Sequence, residues 1–142
     1  MVTRLIVACS VMALCVIVHA AGLAVALRWL RLPPGKHPVL SNLRVFIRVA
    51  AWIVILHLVE IMAWAALYVW NRALPDMETA AYFSAVTYTT TGYGDVVLKS
   101  GWRLDGGVEA LTGILMCGWS TGFFVAVVNR LSQQHQRLGT PG

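Results

Sequence analysis

Three long apolar stretches, separated by polar joints, set the plan of this sequence. The first runs from Leu5 to Leu27 with no Asp, Glu, Lys or Arg. As a helix it reaches about 34 Å, enough to cross a hydrocarbon layer of about 30 Å. The joint from Arg28 to Asn42 holds Pro33, Pro34, Gly35 and Pro38. It predicts a loop, with Ser41 or Asn42 capping the helix that follows. The second stretch runs from Val45 to Trp70. Arg48 marks its membrane entrance, and Trp64, Tyr68 and Trp70 predict an interfacial aromatic belt at its far end. Asp76, directly after Pro75, predicts an N-cap, with Glu78 in the first turn. The helix it starts, Met77 to Tyr88, is only about 18 Å long. That is about half a membrane, so the segment must return to the side it came from. The third stretch runs from Gly106 to Val128, and Asn129 opens a polar tail. No segment repeats.

Composition narrows the class. Of 142 residues, 58% are hydrophobic and 12% charged, about half the charged share of an ordinary soluble domain. Mean hydropathy is +0.71. A soluble enzyme, a disordered tail and a disulfide scaffold are excluded, and an all-α membrane protein of three transmembrane helices plus a re-entrant helix is expected. The net charge of +5 is spread along the chain and makes no nucleic-acid patch. It serves as a topology signal instead. Arg28, Arg31, Lys36, Arg44 and Arg48 crowd the first joint, which places that joint and the C-terminus in the cytoplasm and the N-terminus and the insert outside. Arg4 and Val18-His19-Ala20 also fit a signal peptide. Cleavage there would leave the most basic joint outside, so the helix is retained. Cys9, Cys15 and Cys117 lie in apolar runs; they read as small buried hydrophobes without metal or redox spacing. The Ala, Val, Leu and Trp-rich composition suits a bacterial inner membrane.

The chemistry concentrates in Thr87-Tyr88-Thr89-Thr90-Thr91-Gly92-Tyr93-Gly94-Asp95. Extended, glycine-containing backbone at membrane depth is tolerated only where protein buries it or it lines a cavity. Glycines admit conformations that other residues avoid, and alternating conformations aim successive carbonyls to one side. About four residues at roughly 3 Å each give about 12 Å of lined path. The negative end of the short helix favours a cation beside it.

On this run, T-x-x-T-x-G-Y-G-D, and on the helices flanking it, the sequence resembles the potassium channel family, specifically the pore domain of the two-transmembrane and bacterial ion channel type. The resemblance covers Val45 to Asn129 and implies an outer helix, a pore helix, a selectivity filter and an inner helix. It implies that main-chain carbonyls replace the hydration shell of potassium. Carried over, Thr90, Thr91, Gly92 and Tyr93 match the ion ligands, with the Thr90 hydroxyl innermost. Gly94 and Asp95 match the filter mouth, and Gly113 the inner-helix hinge. One pore loop per chain implies a homotetramer in the lipid bilayer, with K+ as the bound and transported ion. The chain then divides into an extra transmembrane helix over 1–30, a cytoplasmic loop over 31–43, the pore domain over 44–130 and a short cytoplasmic tail over 131–142. That tail is too short for a ligand-sensing domain, which leaves any such regulation to a partner chain.

Three positions depart from the family pattern. Thr91 stands where Val or Ile is usual, and its hydroxyl needs a partner behind the filter. Leu98 replaces a frequent proline, which predicts a looser outer turret. Val86 replaces a glutamate that braces the filter in some members, leaving Tyr82 or Thr87 to brace it. Among weaker signals, His57 and Glu60 share a helix face at mid-membrane, and residue counting puts His19 at similar depth. A buried cluster of His19, His57 and Glu60 joining the extra helix to the pore domain is expected, with a structural role or a pH-sensing one. Glu109 is expected to brace the pore helix, with drawing cations toward the pore as the other role it fits. Ile114, Cys117, Thr121 and Val125 share one helical face, the expected cavity lining, and Gly118 and Gly122 permit tight helix crossing. Arg44 and Arg48 begin no voltage-sensor series. Trp52, Trp64, Trp119, Phe123 and Phe124 read as lipid-facing or packing residues. No catalytic constellation is present, so the chain is not read as an enzyme. A weakly selective cation channel and a non-conducting scaffold that keeps the pore fold stay open beside the potassium channel.

Overall fold

A computed structural model describes residues 2–29 and 38–139 of the chain. All the regular structure in them is helical: α1 (Val2–Trp29), α2 (Pro38–Trp70), α3 (Met77–Tyr88), a 3-10 turn (Ser100–Trp102) and α4 (Arg103–Gly139). Three segments are long and apolar enough to cross a membrane, Val2–Arg28, Asn42–Trp70 and Ser100–Ser132. The short α3 lies between them, packed against α2 and α4, while α1 packs against α2 and α4. α1 is thus part of the bundle.

The helices are longer than the apolar stretches that predicted them. α2 begins at Pro38, so Ser41 and Asn42 lie within it and do not cap it. Proline suits the first helical position, where its missing N–H leaves no bond unmade and its fixed φ is already helical. The rest of the expected loop falls on residues 30–37, outside the described residues. α4 continues past Asn129 to Gly139; the polar tail that follows Asn129 is rich in Gln, Arg and Leu, which carry a helix as well as apolar residues do.

The core sits where α3 meets α2 and α4. Trp64 and Tyr68 are fully buried there with Phe83, Tyr88 and Met116, and only Trp70 of the expected aromatic belt is exposed. The correction has a geometric cause. Glu60, Trp64 and Tyr68 recur every four residues, so they share one helix face, and that face meets α3. Tyr68 packs edge-on against Phe83 of α3 at 5.4 Å, and its hydroxyl donates to Glu109 Oε2 of α4 at 2.8 Å. Glu109 is fully buried and ties α2 to α4 beside α3. A second, smaller cluster joins Val49, Val127 and Leu131, with Phe46 and Phe124 against it. Cys15 is buried, but Cys9 and Cys117 are exposed on the chain; in a membrane an apolar run has no need to hide from its solvent.

Arg4 fixes the end-to-end sense of the bundle. Its guanidinium lies 4.6 Å from the Trp102 ring centre and donates to the Gly101 carbonyl at 3.3 Å. The start of α1 and the segment that follows the T-T-G-Y-G-D run therefore share one end. Further along, Trp52 Nε1 of α2 donates to the Gly22 carbonyl of α1 at 2.8 Å, a second tie for the extra helix.

Candidate functional site

The run after α3 depends on how α3 starts and stops. Asp76 caps it: Oδ1 accepts from the Thr79 N–H at 2.8 Å and Oδ2 from the Thr79 hydroxyl at 2.9 Å. These bonds hold the Asp76 carboxyl below the usual carboxylate range. At the other end the Thr90 N–H bonds to the Thr87 carbonyl at 2.9 Å and the Gly92 N–H to the Val86 carbonyl at 3.0 Å. The chain then unwinds in alternating hands. Thr90 has φ +59, Gly92 +53 and Gly94 +80, every second residue. A left-handed threonine costs on the order of 1–2 kcal/mol, and only glycine takes that region freely. Backbone of alternating hand turns its carbonyls to one side. Among the described residues no donor reaches the carbonyls of Thr90, Thr91, Gly92 or Tyr93. Thr90 to Asp95 are all exposed on the single chain.

Side chains behind the run fix its shape. Thr89 Oγ1 donates to the Ala85 carbonyl at 2.7 Å and lies 3.0 Å from Thr91 Oγ1, which gives the Thr91 hydroxyl its partner. Tyr82 donates to Asp95 Oδ2 at 2.6 Å, a strap between α3 and the end of the run that needs no glutamate at Val86. This bond lowers the Asp95 carboxyl and raises the Tyr82 hydroxyl relative to their ordinary values. Leu98, where a looser segment is expected, is 4% exposed and belongs to the core, its Cδ1 lying over Gly106.

Gly113 sits at the closest approach of α4 to α3. A Cβ there would lie 1.8 Å from the Tyr88 carbonyl oxygen, so contact alone requires glycine at this position. Ile114, Cys117, Thr121 and Val125 are exposed along one side of α4. At Gly118 and Gly122 an added Cβ would meet nothing within 4 Å, so that side is open for another helix.

The structure brings His19, His57 and Glu60 together and adds two residues the sequence did not single out. His19 Nδ1 lies 2.8 Å from Glu60 Oε1, and His19 Nε2 lies 3.0 Å from Ser120 Oγ. From Ser120 the path runs 3.1 Å to His57 Nε2, and from His57 Nδ1 3.0 Å to the Tyr88 hydroxyl. Tyr88 donates to Glu60 Oε2 and closes a ring. The ring takes one residue from each of α1, α3 and α4 and two from α2. Glu60 and His19 are buried, and His57 is 18% exposed. Ser120 lies as far from the start of α4 as His19 does from the start of α1; that match in depth was the available signal. Tyr88 was hidden inside the filter motif, where its neighbours drew the reading.

A family model described as an ion channel matches residues 46–130, more than half of the chain. No curated protein and no solved structure matches the chain.

Proposed function

The chain belongs to the ion channel family, and on that premise we propose that it conducts potassium passively and selectively through a filter built by four copies. The observation that carries this reading is the alternation of left-handed backbone at Thr90, Gly92 and Gly94, which leaves a file of carbonyls free to face one axis. Carbonyls without donors are not tolerated at membrane depth unless protein or a water-filled path covers them. One chain leaves this run exposed, so other copies must surround it. Four such runs around an axis make stacked oxygen cages at Thr90, Thr91, Gly92 and Tyr93. A dehydrated monovalent cation enters them at little cost because the carbonyls stand in for its water. The C-terminal end of α3 points the same way and adds a favourable potential for a cation.

The remaining parts follow. Gly94 and Asp95 form the mouth, with Asp95 held by Tyr82. The exposed face with Ile114, Cys117, Thr121 and Val125 lines the cavity below, and the open positions at Gly118 and Gly122 let inner helices of neighbouring copies cross closely. The basic residues of the first joint favour a C-terminus in the cytoplasm and a start of α1, with the filter mouth, outside. The test is a potassium-gradient flux assay on purified full-length protein in liposomes. Flux blocked by barium, and lost in Gly92→Ala with assembly intact, supports the reading. Absence of flux from an assembled protein makes it a scaffold and overturns it.

A further inference from the structure

The buried ring can be settled by counting protons. It contains five contacts: Glu60 with His19, His19 with Ser120, Ser120 with His57, His57 with Tyr88 and Tyr88 with Glu60. Each contact needs one hydrogen. Ser120 and Tyr88 supply one apiece. The other three must sit on His19, His57 and Glu60. Two neutral imidazoles carry two, so one more is required, on the Glu60 carboxyl or as a second hydrogen on His19 or His57. Each placement leaves the ring with zero net charge, the state that a low-dielectric interior favours. With the proton on Glu60, every donor points the same way around: Glu60 to His19, His19 to Ser120, Ser120 to His57, His57 to Tyr88, Tyr88 back to Glu60. Remove that proton and the ring is one hydrogen short. With His57 protonated on Nδ1 the Ser120 hydroxyl then faces two bare nitrogens and can serve only one; with His57 protonated on Nε2 the gap moves to the contact between His57 and Tyr88. A metal ion would displace these bonds, whereas a proton completes them.

We infer that this ring is a proton-dependent positioning site: with its third proton it locks Tyr88, and through Tyr88 the foot of the filter, to all three long helices, and without it the ring opens at one of its contacts to Ser120 or Tyr88. The inference rests on the potassium-conduction reading only for its consequence in flux. Tyr88 carries the effect because it is clamped at both ends. Its hydroxyl lies in the ring, its carbonyl lies against Gly113, and Thr90 follows two residues later. The titratable groups facing the ring are Cys15 of α1 and Cys117 of α4, both near Glu60, besides the ring's own His19, His57 and Tyr88.

Two substitutions separate the states. Glu60→Gln supplies a permanent N–H to His19 and a carbonyl to Tyr88, which fixes the ring in its complete form. Ser120→Ala deletes both contacts to α4; the remaining three bonds need no third proton. In full-length protein, potassium flux and the thermal unfolding midpoint in detergent are measured between about pH 5.5 and 9, the range that brackets imidazole titration. Wild type is expected to change flux by about fivefold, the equilibrium worth of one hydrogen bond, and to lose thermal stability as pH rises. Glu60→Gln is expected to stay at the low-pH level throughout, and Ser120→Ala at the high-pH level. A wild-type profile that both variants reproduce, or a flat wild-type profile, overturns the inference. If Ser120→Ala does not assemble, Glu60→Gln alone decides, because it must flatten the stability profile. Absence of flux at every pH with the stability profile as expected contradicts the conduction reading and leaves the ring standing; selective flux with flat stability does the reverse.

Discussion

At the scale of single residues the structure makes close contacts that substitution can break. Gly113→Ala forces a Cβ to within 1.8 Å of the Tyr88 carbonyl. Backbone cannot yield as a flexible side chain does, so overpacking of about 1–3 kcal/mol is expected, read as a lower melting temperature of the detergent-solubilised protein. Thr91 and Asp95 are each held by one bond from the pore helix side. The Asp95 carboxyl accepts from Tyr82, and its lowered value means the carboxylate's contribution is present above the ordinary Asp range and is lost only as pH falls through the lowered one. Tyr82→Phe removes the donor. Acid loss of conduction should then move up toward about pH 3.9, and an unmoved midpoint shows that the strap does not govern the mouth. Thr91→Val removes a hydroxyl bonded only to Thr89; selectivity between potassium and sodium is expected to survive, because the carbonyls are main chain.

At the scale of elements, what the sequence revealed depended on whether the signal was local. Met77–Tyr88 was legible to the residue because Asp76 is a cap that acts within one turn. The three spans were legible from length and hydropathy, and the meeting of His19, His57 and Glu60 from counting depth along antiparallel helices. Trp64 and Tyr68 were misread because belt and core differ only in which neighbours a helix face meets. Ser120 and Tyr88 were missed for the same reason: a hydroxyl in an apolar helix and a tyrosine in a filter motif gain their role from partners distant in sequence. Pro38 shows that a residue which breaks a helix inside can begin one. The tie between α2 and α4 gives its own expectation. Tyr68→Phe leaves buried Glu109 without its donor, at a cost of about 1–3 kcal/mol. Thermal unfolding should register that loss with the membrane insertion of the chain unchanged.

At the scale of the whole molecule, the chain packs α3 tightly but exposes Thr90 to Asp95 and an apolar side of α4. In the proposed assembly four copies cover both at once, while α1 packs on α2 and α4 and meets the segment after the T-T-G-Y-G-D run through Arg4. Mass determination of the detergent complex should give four chains, with monomers alone contradicting the assembly. The most direct test of the central claim is the reversal potential of purified protein in planar bilayers with potassium on one side and sodium on the other. The account predicts a potential close to the potassium equilibrium value. A reversal near zero, with sodium passing as readily, would contradict it.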